Sequence, residues 1–169
     1  MKMTSAYANK IIKQLKEERM FLLNREHEDS IYTVAENEEP LIPEYNYEEV
    51  RDKISEINEK IYKIKHAINI ANTTRSVAIG DKEYTIDMLL VRMAQLNERK
   101  VVLNEMRSKP YRSRKSGYYS STIRPIEYVY TNYDPEIVKA DFEKISREIM
   151  DIQLALDQHN QTYTFEVEI

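Results

Sequence analysis

The chain has 169 residues, 41% of them hydrophobic and 32% charged, with a formal net charge of −4. That length supports one domain with a sizeable core, and the apolar content excludes wholesale disorder. Two glycines leave little material for phosphate-cradling loops or turn-rich sandwiches, the absence of cysteine excludes disulfides and thiolate metal sites, and the acidic balance gives no global pull toward nucleic acid.

The first residues, from Met1 to about Glu18, contain no apolar core of signal-peptide type and read as the start of an amphipathic helix. A helix over about 4–25 places Tyr7, Ile11, Leu15 and Leu22 on one face, with Ala8, Ile12 and Leu23 beside it. An acidic connector (27–46) follows. Glu26 to Glu49 carries nine acids and no lysine or arginine, and Ile31 to Val34 is a short β-favouring run.

The clearest helix spans 47–71. Tyr47, Val50, Ile54, Ile57, Ile61, Ile64, Ile68 and Ala71 recur at alternating spacings of three and four, an unbroken heptad seam. Asn46 is its expected N-cap, and Glu48 and Glu49 suit the positive end of the helix dipole. The helix is expected to end near Asn72, Thr73 and Thr74, whose side chains, with Asn69, compete for backbone hydrogen bonds. Residues 76–84, centred on Gly80 and Asp81, read as a short hairpin.

A third helix over 86–106, capped by Thr85, turns Ile86, Leu89, Leu90, Met93, Leu96 and Leu103 inward. The connector after it (108–133) is basic: Arg107 to Arg124 carries six bases and no acid. Ile126 to Tyr130 is a further β-favouring run. Asp134 and Pro135 then supply an N-cap and a proline at the first helical position. A fourth helix over 135–159 repeats the heptad spacing through Val138, Phe142, Ile145, Ile149, Ile152, Leu156 and His159. The tail, 162–169, alternates as a half-buried strand, with Tyr163, Phe165, Val167 and Ile169 inward. It requires a pairing partner, within the chain or on another subunit.

Four long helices of similar length predict a mainly α protein. The expected architecture is a single-domain (1–169), antiparallel up-down helical bundle or coiled coil with small β elements. In that topology the acidic and basic connectors share one end. The 76–84 hairpin, the C-terminal strand and the N-terminus share the other.

The basic connector is the candidate site. Arg107, Lys109, Arg112, Arg114, Lys115 and Arg124 are interleaved with Tyr111, Tyr118 and Tyr119. Arginine grips phosphate and tyrosine stacks on bases, so the combination suits nucleic acid or a phosphorylated ligand. The competing reading pairs these bases with the acidic connector, in cis or across a subunit interface. The acidic connector lacks the spacing of a calcium loop. His27, His66 and His159 form no metal-ligand pattern, and His159 is expected to favour the dipole at a helix C-terminus. No catalytic, cofactor or metal signature is present. Tyr32, Tyr45, Tyr128, Tyr130 and Tyr133 are expected to cover the bundle ends with their hydroxyls in water.

The motif order resembles a septicolysin-like family of small, mostly uncharacterised bacterial helical proteins. The resemblance rests on Ile68-Asn69-Ile70-Ala71-Asn72-Thr73-Thr74, then Gly80 and the Thr85-capped helix with Arg92. Tyr111 and Arg112, Ile152 and Gln153, and Asn160 complete it. The stretch from Asn160 to Phe165 lacks the tryptophan of the family's ending. The resemblance implies a helical fold and, through its label, a membrane-active protein; it carries over no catalytic residue. No apolar run approaches the ~18 residues of a spanning helix, so stable membrane insertion is not expected.

The reading that follows is a non-enzymatic, self-associating helical protein without cofactors, cytoplasmic, its main partner itself. Binding of nucleic acid or phosphate ligands through residues 107–124 is the first alternative, and membrane activity the second.

Overall fold

The computed structural model describes residues 1–115 and 126–169. The chain is mainly helical and divides into two compact units, one of residues 1–76 with 157–169 and one of residues 77–156.

The first unit is a helical hairpin closed by a strand pair. Helices α1 (Ser5–Asp29) and α2 (Tyr47–Thr74) run antiparallel: Leu22 packs with Val50, Ile57 and Ile61, while Ala8 and Ile12 pack with Ile64 and Ala71. The isoleucine seam of α2 is buried as its spacing demands, with Ile64 fully enclosed. Asn46 caps α2 by accepting from the backbone N–H of Glu48 at 3.0 Å and of Glu49 at 3.3 Å. At the other end, the Thr73 and Thr74 hydroxyls donate back to the carbonyls of Asn69 and Ile70, so the helix runs on to Thr74.

Strand β1 (Lys2–Thr4) occupies the N-terminus, where a helix was expected to begin directly. It pairs antiparallel with the C-terminal strand, Met3 opposite Phe165. The ladder continues beyond both strands, since the Val167 N–H donates to the Met1 carbonyl at 2.9 Å. The C-terminal strand therefore has its partner within its own chain. It is shorter than the expected 162–169, covering Thr164–Glu166, and Ile169 is exposed rather than inward. Met3, Phe165 and Val167 lie over Ala8, Ile12, Ile64 and Ala71. This placement sets the phase of α1: the small Ser5 and Ala8 face the strands and are buried, whereas Tyr7 and Leu23, expected on or beside the core face, are exposed. The acidic connector contains no strand, and the β-favouring run 31–34 is irregular chain.

The second unit repeats the plan. Strands β2 (Ser76–Ile79) and β3 (Lys82–Thr85) form the expected hairpin. Gly80 has φ +60°, and no other described residue has positive φ. Positive φ at only the first of the two turn residues marks a type II′ hairpin turn. Helix α3 (Ile86–Arg107) follows, with the Thr85 hydroxyl bonded to the Asp87 carboxylate rather than to a backbone N–H. Helix α4 (Pro135–Thr162) returns antiparallel to α3, and the Asp134 carboxylate accepts from the Glu136 N–H at 2.9 Å.

Ile86 and Leu89 pack with Ile152 and Leu156, and Val77, Ile79 and Tyr84 of the hairpin close over them. Arg92 Nε donates to Glu148 Oε1 at 2.6 Å farther along the pair. Leu90, expected inward, is 44% exposed. It lies about 100° around the helix from Leu89 and misses the single seam that a two-helix pair can bury.

Candidate functional site

The basic connector folds into a ribbon. Strand β4 (Arg112–Arg114) pairs antiparallel with strand β5 (Tyr128–Tyr130), Arg112 opposite Tyr130 and Arg114 opposite Tyr128. Lys115 N–H to the Glu127 carbonyl, and Thr131 N–H to the Tyr111 carbonyl, extend the ladder by one residue at each end. Directly opposed residues share a face of an antiparallel pair. One face therefore carries Arg112, Arg114, Tyr128 and Tyr130, and the other Ser113 and Val129.

The first face is an ordered stack. The Arg112 guanidinium lies 3.6 Å from the Tyr128 ring centroid and 5.7 Å from that of Tyr130. Tyr111 meets Tyr130 edge-on at 6.0 Å between centroids. Arginine prefers such aromatic faces because its planar, delocalised charge is weakly hydrated. Every residue of β4 and β5 is nevertheless exposed to solvent. Lys115 is neutralised by Glu127 at 2.7 Å, an acid just beyond the acid-free stretch. Among the described residues, no carboxylate pairs with Arg112 or Arg114.

Of the other expected site residues, Arg107 ends α3 with its guanidinium 3.9 Å from the Phe142 ring centroid. Lys109 lies in the exit from that helix, its N–H donating to the Met106 carbonyl. Arg107 also lines an open hollow of about 280 Å³ with Asn104, Ser108, Pro135, Glu136 and Lys139. Tyr118, Tyr119 and Arg124 lie outside the described residues. The structure thus gathers Tyr111, Arg112, Arg114 and Lys115, and adds Tyr128 and Tyr130, which sequence reasoning assigned to covering the ends. The signal for them was the β-favouring run 126–130.

Tyr133 and Tyr45 correct the same expectation. The Tyr133 hydroxyl donates to the Met106 carbonyl at 2.7 Å, and that of Tyr45 to Glu26 Oε1 at 3.2 Å, so neither depends on water.

His159 is a second correction. It is 8% exposed and stacks on Tyr163 at 5.0 Å between centroids, with the Arg75 guanidinium 4.3 Å from the Tyr163 ring. Burial, then the Arg75 charge, pushes its pKa below the ordinary histidine value. The neutral ring is therefore favoured, and the cation that would complement the helix dipole is not. His27 and His66 are exposed. Among the described residues, no group of three or more His, Cys, Asp or Glu side chains is placed to hold a metal ion. No helix among them is long and apolar enough to cross a membrane.

No protein-family model matches the sequence, and no curated protein matches it. The fold is similar to a crystal structure of a functionally unknown conserved protein from Corynebacterium diphtheriae. The match has a TM-score of 0.65 and 16% sequence identity, and it covers 98% of this chain and 100% of that one. At that identity the likeness shows a shared fold alone.

Proposed function

We propose that the protein is a non-enzymatic helical module that works by associating with copies of itself. One observation carries this reading: the outer surface of α3 carries five large apolar side chains exposed among its polar residues. Met88, Val91 and Val102 are 56%, 60% and 45% exposed, and they lie on one line through Gln95 and Glu98 at spacings of three and four. Leu90 and Val101, 44% and 60% exposed, lie on a second line through Ala94 and Asn97. On α4, Met150 and Leu154 are adjacent and exposed.

A helical hairpin buries one seam per helix. Its outer lines complete an antiparallel bundle or coiled coil only against further helices, and a second copy supplies them. Fully burying a side chain of this kind contributes roughly 1.5–3 kcal/mol. A few such residues per copy then offset the cost of association, about 4–15 kcal/mol.

Sedimentation velocity over a hundredfold concentration range tests the reading. The expected result is a species heavier than the 20.1 kDa chain that dissociates when Met88, Val91 and Val102 are changed to lysine. A monomer throughout that range refutes it.

A further inference from the structure

Within that self-association reading, we propose that the acidic segment Glu36–Glu44 of one copy docks on the β4–β5 ribbon of another. The segment is presented rather than merely exposed. The Glu38 N–H donates to the Ala35 carbonyl in a turn at one end. At the other end Arg25 donates to the Glu44 carbonyl, and the Tyr45 hydroxyl to Glu26. Between these anchors stand Leu41 and Ile42, 94% and 65% exposed.

Pro40 and Pro43 bracket the two apolar residues. Proline fixes its own φ and pushes the preceding residue toward extended geometry, so the segment loses little conformational freedom on docking. Glu36, Glu38 and Glu39 flank the apolar pair on one side and Glu44 on the other.

The ribbon is complementary in both respects. Arg112 and Arg114 project from one face without a carboxylate among the described residues. Val129, 51% exposed, is on the opposite face, and Ile126, 60% exposed, stands beside the ribbon. Among the described residues the ribbon has two strands and so two unpaired edges, which invite an added extended chain. Single-stranded nucleic acid is the rival occupant. The neutralised Lys115, the apolar Val129 and Ile126, and the chain's net charge of −4 all favour an acidic-apolar peptide over a polyanion.

The natural chain contains no cysteine, which makes disulfide trapping clean. Leu41→Cys is placed in one preparation and Val129→Cys in another, and the two are mixed under mild oxidant. The expected product is a covalent pair joining the two variants, formed faster than either variant joins to itself. Reversing the acids (Glu36→Lys, Glu38→Lys, Glu39→Lys) on the Leu41→Cys chain should slow trapping about tenfold or more, because like charges are then juxtaposed. Adding Arg112→Glu and Arg114→Glu to its partner should restore the rate.

No preferential trapping, with the wild-type chain still sedimenting as an oligomer, overturns this docking and leaves self-association standing. A monomeric wild type overturns both. An intrachain disulfide in a chain carrying both cysteines, formed in preference to the intermolecular one, also overturns the docking. So does suppression of trapping by an equimolar single-stranded oligonucleotide, which would assign the ribbon to nucleic acid.

Discussion

Phe165→Ala probes whether the C-terminal strand is part of the folded core or an appendage to it. Phe165 is 9% exposed, sits opposite Met3, and clusters with Ala8, Ile12, Ile64, Ala71 and Val167. A phenylalanine buries on the order of 150–250 Å². Truncation to alanine removes roughly 100–150 Å² of that, worth about 3 kcal/mol at ~25 cal/mol per Å². The cavity left against Ile12 and Ile64 adds to this, and measured Phe→Ala losses run about 3–5 kcal/mol.

The edge position of the strand allows some collapse, so the lower end, about 3 kcal/mol, is expected. The chain has no tryptophan, so the assay is far-ultraviolet circular dichroism in urea. Tyr62→Ala, at a 60% exposed position on the outer face of α2, serves as a control expected within about 0.5 kcal/mol of wild type. Met3→Ala in the Phe165→Ala background should cost less than Met3→Ala alone, because contacting residues lose a shared site. A loss below about 1 kcal/mol for Phe165→Ala, with additive behaviour, would refute the packing of the terminal strands against α1 and α2.

His159 predicts an acid-side loss of stability. Its folded pKa is lowered from 6.5 by burial and Arg75, so below 6.5 the unfolded chain takes up the proton more readily than the folded one. Its contribution is complete above that value, falls as pH drops beneath it, and is gone once the lowered folded value is passed. His159→Phe, which also removes the unpaired Nε2, should hold its stability at pH 7 and flatten the decline between pH 7 and 5 in urea titrations. An unchanged slope contradicts the assignment. Gly80→Ala tests the β2–β3 turn: a Cβ there meets nothing within 4 Å. The expected loss of about 1–3 kcal/mol is therefore backbone strain from φ +60°, and a neutral result in thermal melts would mean that the turn has relaxed.

The heptad helices were legible because period and caps agree. Tyr47 and Pro135 begin their helices where Asn46 and Asp134 announce them. Helices α2 and α4 run past their expected C-terminal ends for one physical reason. Thr73, Thr74 and Thr162 donate their hydroxyls back to carbonyls three or four residues earlier, which lets the helix accommodate them rather than stop. Strand β1 was illegible because three residues are too few to show a period of two; only its partner defines it. The run 31–34 is richer in β-favouring residues than β1 but has no described partner strand, and it stays irregular. The cationic half of the ribbon was visible in composition. Its aromatic half depends on the register that sets Arg112 against Tyr130, a long-range pairing that local patterns do not encode.

The difference between α2 and α3 carries the assembly reading furthest. On α2, apolar residues concentrate on the seam that α1 covers, and most outward positions are charged. On α3 they surround the helix: Ile86, Leu89 and Leu103 toward α4, Leu90 and Val101 on the flank, Met88, Val91 and Val102 behind. Apolar residues on several sides of a helix exceed the one stripe that a single contact buries, and a hairpin gives α3 only one covered side. Helix propensity does not explain the pattern, since valine at 91, 101 and 102 is a poorer surface choice than glutamate or lysine. Charged substitutions should therefore separate the helices sharply: Tyr62→Lys on the outer face of α2 leaves the sedimenting species intact, while Val91→Lys on α3 dissociates it. Equal behaviour of the two variants would move the interface away from α3 and remove the observation on which the proposed self-association stands.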